Sequence, residues 1–256
     1  MSELIANLGK DRFITGIEQG SDAWHDLRRG IPTASQFGRI LTEVKGEIAK
    51  GRWTYACELV AARLIQEDRP RLDGLRAVDR GKMLEPNAVK HYEKLTGTIT
   101  TGGIAFVYSE NGKFGCSPDR IFVNPNSDLA PLQRLGGVEF KCPESPQHLI
   151  YFNDGGPGSD YRWQVVGNLL VTGFETWDWM SYHPNWPEVL VRYRRKDLAD
   201  DIKKLETAMK QFNAEVDSLC EKLIEAGFVS PVGQMATRPQ SEWQQLIEAN
   251  PDLLAI

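Results

Sequence analysis

Apolar positions along this 256-residue chain change their period several times, and each change marks an element. Helical spacing comes first. Trp24 and Leu27 lie three apart and share a helix face, which leaves Arg28 at the helix end. Helices are expected between 21 and 66, one of them from Gln36 to Leu41 with Thr33 or Ser35 as its cap. A charge-rich linker follows over 67–80. Beyond it Ala88, Val89, Tyr92 and Leu95 return on one face of a helix from Pro86 to Leu95. Proline suits a first helical turn, so the Glu85 carboxylate should be held at that helix's entrance.

The residue pattern then turns β-type. Phe106-Val107-Tyr108 and Phe114 to Cys116 flank Asn111-Gly112, a dipeptide suited to a type I′ hairpin turn, and Arg120 to Val123 continues in strand-forming residues. Gly136 to Cys142 reads as a further short strand, ended by Pro143. A helix from Asp160 to about 172 and strands over Thr176–Tyr182 and Val189–Arg194 complete the pattern. The expected class is α/β, a central mixed β-sheet flanked by helices. From Leu198 the apolar residues Ile202, Leu205, Met209, Phe212, Val216, Leu219 and Leu223 alternate steps of four and three, the seam of a long helix. Such a seam needs a partner helix, expected in the same chain rather than on a neighbouring subunit. Residues 1–196 are therefore expected to form the core, and 197–256 a helical C-terminal extension packed on that core or on a subunit neighbour. Within the extension a short helix is expected over Ser241 to Ala249. The apolar tail Leu253 to Ile256 would dock on its own domain or on another protein.

Chemistry concentrates where two strands meet. Asp119 sits within or beside one strand, and Glu139, Phe140 and Lys141 lie on the next. Side chains two apart on a strand share a face, so Glu139 and Lys141 project together while Phe140 points into the core. Hard divalent cations such as Mg²⁺ take oxygen ligands, often one or two carboxylates with waters and a substrate phosphate. Asp119 and Glu139 meet that demand, and a lysine beside them can hold an attacking water and offset charge on phosphorus. The alternative is a turn-ending Asp119 beside a solvated strand face. Near the N-terminus, hydroxyls at a helix start with Arg28 close by would make a phosphate pocket.

These residues keep company. Gln19 to Arg28, Gly30 to Ser35, Gly81 to Pro86, Ser117-Pro118-Asp119, Glu139-Phe140-Lys141, and Gln164 followed by Val171-Thr172-Gly173 occur in one order over residues 18 to about 182. The set resembles the phage lambda exonuclease-type (alkaline exonuclease, viral recombinase) family of the PD-(D/E)xK nuclease superfamily. The resemblance implies a restriction-endonuclease-like core. It also implies a processive nuclease that degrades one strand of double-stranded DNA from the five-prime end and leaves three-prime overhangs. It further implies that Arg28 and Ser35, with Thr33 close by, grip the terminal phosphate, that Trp24 packs at the cleavage site, that Glu85 is a third acid and that Gln164 faces the active site. Asp119, Glu139 and the Phe140 carbonyl would hold Mg²⁺, two ions in all, with Mn²⁺ as a substitute. A homotrimeric ring around DNA and a single-strand annealing partner are implied as well. Two rival readings stand beside this: a structure-specific or restriction-type endonuclease of the same superfamily, and a catalytically silent DNA-binding module.

Charge changes the picture in one respect. The net charge of −5 is unequally spread: the first 100 residues carry 16 Lys and Arg against 14 Asp and Glu, a net of +2, and the remaining 156 carry a net of −7. Residues 197–256 hold 5 basic and 11 acidic residues, so that end should not face a phosphate backbone. The four cysteines are scattered without a C-x-x-C pair, and no apolar run of membrane-spanning length or signal sequence is visible, which points to a reduced, intracellular protein; the resemblance implies the cytoplasm of a bacterial or phage-infected cell. Of the four histidines only His25, beside Trp24, has suggestive surroundings. Leu72 or Leu75 could serve as a wedge between base pairs or as an ordinary loop anchor.

Overall fold

A computed structural model describes residues 12–67, 76–123 and 134–230. The expected C-terminal helix and tail, and Leu72 and Leu75, lie outside the described residues. In chain order the elements are β1 (Phe13–Thr15), α1 (Asp22–Arg28), a 3₁₀ helix (Ala34–Arg39), α2 (Arg52–Ile65), α3 (Arg76–Thr96), β2 (Thr100–Thr101), β3 (Ile104–Tyr108), β4 (Gly115–Cys116), β5 (Arg120–Val123) and β6 (Leu135–Lys141). There follow α4 (Ser145–Asp154), α5 (Arg162–Thr172), β7 (Thr176–Ser181), β8 (Val189–Arg194), a 3₁₀ turn (Arg195–Leu198) and α6 (Ala199–Glu225).

The strands form two sheets. One is antiparallel, in the order β1-β3-β4; the other is mixed, in the order β2-β5-β6-β7-β8, and only β6 and β7 run parallel in it. Helices cover both faces of the mixed sheet, as the α/β pattern requires. Its residue alternation assigns the faces. Val138, Phe140 and Met180 pack with Ala88 and Tyr92 of α3, while Trp177 joins Val165 and Leu169 of α5 in the main core. Gly137 makes that second face possible, because a Cβ there would lie 2.2 Å from the Trp177 ring. Gly167 does the same for α5, letting the Phe37 ring of the 3₁₀ helix approach to 2.5 Å of its absent Cβ.

The seam of α6 is buried within this chain. Ile202, Leu205, Met209, Phe212 and Val216 face inward, and Phe212 stacks on Tyr55 of α2 at 5.5 Å. Arg52 adds two hydrogen bonds to Glu215 across the same contact, at 2.9 and 2.7 Å. The pattern runs out toward the end, where Leu219 is half-buried and Leu223 exposed.

Several elements depart from the sequence reading. The linker expected over 67–80 is already helical from Arg76, so Glu85 and Pro86 lie in the interior of α3 rather than at its entrance. Among the described side chains of the early turns of α3, Ala77, Asp79, Lys82 and Met83 are exposed and apolar burial begins at Leu84. The segment read as a helix from Gln36 to Leu41 is a 3₁₀ helix from Ala34 to Arg39, and neither Thr33 nor Ser35 makes a side-chain cap to it. The hairpin exists but its turn is not type I′, which needs positive φ at both central residues. Only Gly112 has it; Asn111 instead closes the loop with its side chain, accepting from Ser109 Oγ at 2.8 Å and from the Lys113 amide at 3.1 Å. Helix α4 was not foreseen, because Leu149, Ile150 and Phe152 are exposed and give it little amphipathic signal.

Candidate active site

Strand pairing sets the geometry of the acids. Arg120 of β5 pairs with Val138 of β6, so Asp119, one residue before β5, comes level with the end of β6. There Asp119 Oδ2 accepts a hydrogen bond from the Phe140 amide at 2.7 Å. Glu139 is 5% exposed, and its Oε1 accepts from Lys141 Nζ and from Gln164 Nε2, both at 2.7 Å. Its other oxygen, Oε2, is buried with no hydrogen-bond partner. Four of the sequence-selected residues, Asp119, Glu139, Lys141 and Gln164, are thus brought together by β5, β6 and α5.

Electrostatics binds the group more closely and draws in Glu85. Burial, then the charges of Glu139 and Glu85, push the Asp119 carboxyl well above its ordinary range, against the opposing pull of Lys141. Glu85, half-buried on α3, is raised chiefly by burial and also feels Arg120, Glu139 and Lys141. Cys142 registers the same crowding: burial, Glu85 and Asp119 push its thiol up to about 11. For Lys141 burial favours loss of the proton, but Glu139 and Asp119 overcome it and the ammonium is held charged. The site therefore sets two carboxylates beside one lysine, with Glu85 within electrostatic reach and a buried oxygen left unpaired.

The residues of this site fit a hard cation. The donors are oxygen, negative charge is in excess, and the unpaired Glu139 oxygen costs free energy that a cation would recover. Among the described residues no three of His, Cys, Asp and Glu converge as a ready-made cluster. The donor set is thus the sparse, carboxylate-based kind, Asp119 and Glu139, that suits Mg²⁺, an ion that keeps several of its waters.

The N-terminal residues form a second group. The Arg28 guanidinium lies 3.8 Å from the centre of the Trp24 ring and reaches Thr33 Oγ1 at 3.5 Å, which in turn lies 3.4 Å from Ser35 Oγ. Burial lowers the Arg28 pKa to about 10, with Tyr55, Cys116 and Glu139 opposing that shift. The Glu139 contribution places this group within electrostatic reach of the acids. Trp24 is fixed by Nε1, which donates to the Ala105 carbonyl at 2.9 Å and to Ser117 Oγ at 3.1 Å. The Thr33 amide donates to the Tyr55 hydroxyl at 3.2 Å, while the Ser35 side chain is exposed. His25 packs edge-on against Trp24 at 5.0 Å.

Two contributors were given no role in the sequence reading. Gln19 Nε2 donates to the carbonyls of Ile104 and Pro118, at 3.0 and 2.9 Å, and so ties the N-terminal segment to the turn that carries Asp119. The Tyr161 ring lies under Lys141, with Nζ 4.9 Å from its centre. A signal for it existed: an aromatic three residues before Gln164 lies on the same side of a helix entrance.

Known proteins share this fold. The chain is similar to an alkaline exonuclease (LHK-Exo) from Laribacter hongkongensis, at 28% identity and a TM-score of 0.67, covering 81% of this chain and 98% of that one. A structure of that protein in complex with dAMP matches equally. A phage-related exonuclease from Haemophilus somnus shares the fold at 15% identity, with a TM-score of 0.55 over 75% of this chain and 97% of that one. No curated protein matches. The YqaJ-like viral recombinase domain matches residues 23–175, from just before Trp24 to the residue preceding β7, and so takes in every site residue named above except Gln19. The resemblance carried by the ordered motifs is borne out by that match, which spans more than half of the chain: this protein belongs to the YqaJ-like viral recombinase domain family.

Proposed function

We propose that this chain is a metal-dependent exonuclease that shortens one strand of double-stranded DNA from the five-prime end, processively, and leaves a three-prime overhang. The observation that carries the reading is the buried, partly unsatisfied Glu139, with Lys141 and Gln164 on one oxygen and nothing on the other. The similarity to an alkaline exonuclease, one structure of which contains dAMP, supports a nuclease that releases mononucleotides. Asp119, Glu139 and the Phe140 carbonyl would hold Mg²⁺, with Glu85 joining directly or through water. A divalent cation so held supplies a water of lowered pKa and positive charge beside the phosphate.

The chain's own residues do the rest. Lys141 orients the attacking water and offsets charge on the phosphorus. Gln164 fixes the Glu139 carboxylate. Arg28, Thr33 and Ser35 hold the terminal phosphate, and Trp24 keeps the Arg28 guanidinium in place through its ring face. Water adds to phosphorus, and the bond from phosphorus to the three-prime oxygen breaks. The shortened strand then begins with a five-prime phosphate, the ligand that Arg28 needs for the next cycle. In this reading the chain from 197 on is an extension of the 1–196 core, joined to it through the buried seam of α6. The protein works in the cytoplasm as a homotrimeric ring and hands its overhang to a single-strand annealing partner.

Digestion of linear duplexes in Mg²⁺, with five-prime phosphate or hydroxyl ends, tests the proposal against closed circular DNA. Linear phosphorylated DNA should disappear fastest and circles should survive. Cutting of circles would make the chain an endonuclease, and no cutting of any substrate would leave a DNA-binding module.

A further inference from the structure

Lysine carries a flexible four-carbon stem, and ordering it costs about 2 kcal/mol of rotamer freedom. A lysine that must aim its ammonium at one point therefore needs more than a single contact. In this protein Lys141 has two: Glu139 Oε1 at 2.7 Å, and the Tyr161 ring with its centre 4.9 Å from Nζ. The ring is itself held. Trp179 lies beside it at 5.6 Å, and Tyr151 meets it at 6.4 Å. Tyr151 stands edge-on to Trp179 at 5.1 Å, closing a three-ring wall. Trp179 is the register partner of Glu139 across β6 and β7, so the wall is built on the strands that carry the acid and the lysine.

Tyr161 is also the N-cap of α5, and three residues on Gln164 donates to the same Glu139 oxygen that receives Lys141. One helix entrance thus grips both members of the Glu139–Lys141 pair. An aromatic face attracts an ammonium without adding negative charge to a site that already holds two carboxylates, with Glu85 within electrostatic reach. We propose that Tyr161 is a positioning residue: its ring, not its hydroxyl, aims the Lys141 ammonium at the reacting phosphate. The inference rests on the exonuclease reading for its consequence in rate, but not for the contact itself.

Two variants and one spectroscopic signature test it. In Tyr161→Leu, kcat for DNA digestion should fall about tenfold, equivalent to about 1.4 kcal/mol, with KM for DNA ends and the melting midpoint unchanged. Tyr161→Phe keeps the ring and should stay within about twofold of the wild type, on the scale where a full cation–π contact is worth about tenfold. In protein labelled with ¹³C-lysine, the Lys141 ε-methylene should be shifted upfield by ring current in the wild type and in Tyr161→Phe, and should move back in Tyr161→Leu. Full kcat in Tyr161→Leu, an equal loss in Tyr161→Phe, or no ring-current shift would each overturn the proposal. Should Tyr161→Leu fail to fold, the shift in the wild type and the Phe variant still decides. A wild-type protein that digests no DNA would sink the exonuclease reading, and the spectroscopic arm would then stand alone.

Discussion

Two buried acids sit one register step apart on neighbouring strands and are treated in opposite ways. Asp178 of β7 pairs with Val138, and Glu139 is the next residue along β6, on the other face of the sheet. Asp178 is fully buried and fully satisfied: Arg192 of β8 donates from Nε and Nη2 at 2.7 Å each, and the Tyr92 hydroxyl of α3 donates at 2.6 Å. That bidentate pair, with a third donor, ties α3 and β8 to the centre of the sheet. Glu139 has donors on one oxygen and none on the other, while Asp119 receives one backbone amide and is held up by its acidic neighbours. A carboxylate that serves the fold is matched donor for donor. In the proposed reading Asp119 and Glu139 are the pair offered to substrate, left short of donors, and that shortage is what a cation and a phosphate would use.

The largest effect should come from closing the shortage. Glu139→Gln keeps the shape and the bond from Gln164 but removes the charge; digestion of linear DNA should fall on the order of a thousandfold, about 4 kcal/mol in the barrier. The melting midpoint should hold within a few degrees, because the variant also relieves the crowding around Asp119. A Glu139→Gln protein that keeps a tenth of wild-type activity would erase the functional half of the contrast.

The opposite substitution should hit the fold. Arg192→Leu strands Asp178 as an uncompensated buried charge, which costs about 3 kcal/mol of stability, the low end for such pairs because the arginine is partly open to water. Chemical denaturation would read that loss, and digestion by the folded fraction should continue at the wild-type rate. Equal stability in the two proteins would mean that Asp178 is no more committed to the fold than Glu139.

The two acids also differed in how visible they were. Asp119, Glu139 and Lys141 stood out because period-two spacing and β-type neighbours put them on adjoining strands, and the pairing of Arg120 with Val138 bears this out. Asp178 was unremarkable in the sequence. Its partners lie 86 and 14 residues away, and nothing local announces that Tyr92 and Arg192 will converge on it. Glu85 shows a third outcome: its place near the acids came from the family resemblance, while the local reading of Pro86 as a helix start misplaced it. Ala77, Asp79, Lys82 and Met83, all exposed, gave periodicity no foothold. The split into two sheets was equally out of reach, since β1 and β2 span only Phe13–Thr15 and Thr100–Thr101. For Tyr161 the spacing of three from Gln164 was the one local signal, and the ammonium over its ring is a tertiary fact that spacing does not announce.

A smaller effect would sharpen the contrast through pH. Asp119 has its pKa raised by burial and by Glu139, so its contribution to stability is full below the ordinary aspartate range and is lost as pH rises through the shifted value. Adding Mg²⁺ should reverse that loss. The gain in stability on adding the metal, read by chemical denaturation, should therefore be larger at pH 8 than at pH 5, reaching about 2.7 kcal/mol when the ion is at a hundred times its dissociation constant. Arg192→Leu should show the same metal-dependent gain, and Glu139→Gln should lose most of it. A gain independent of pH would detach the acids from the metal.

The smallest expected effect concerns Glu43, an acid between the two extremes. Its carboxylate accepts one bond, from the Trp163 amide in the first turn of α5 at 3.2 Å, and Arg162 lies nearby but is committed to Asp201. Burial, with help from Asp160, raises its pKa to about 7. A raised carboxyl stabilises the fold fully below its unfolded value near 4.5 and loses that contribution as pH climbs through 7. Glu43→Gln, which still accepts the Trp163 bond, should therefore match the wild type at pH 4 and be more stable at pH 8. Glu43 is half open to water, so screening limits the gain to about 1 kcal/mol. If the two proteins melt together at both pH values, water alone meets the needs of Glu43. Partial burial would then be tolerated without a dedicated partner, and only deep burial, as at Asp178 and Glu139, would separate acids that hold the fold from acids reserved for chemistry.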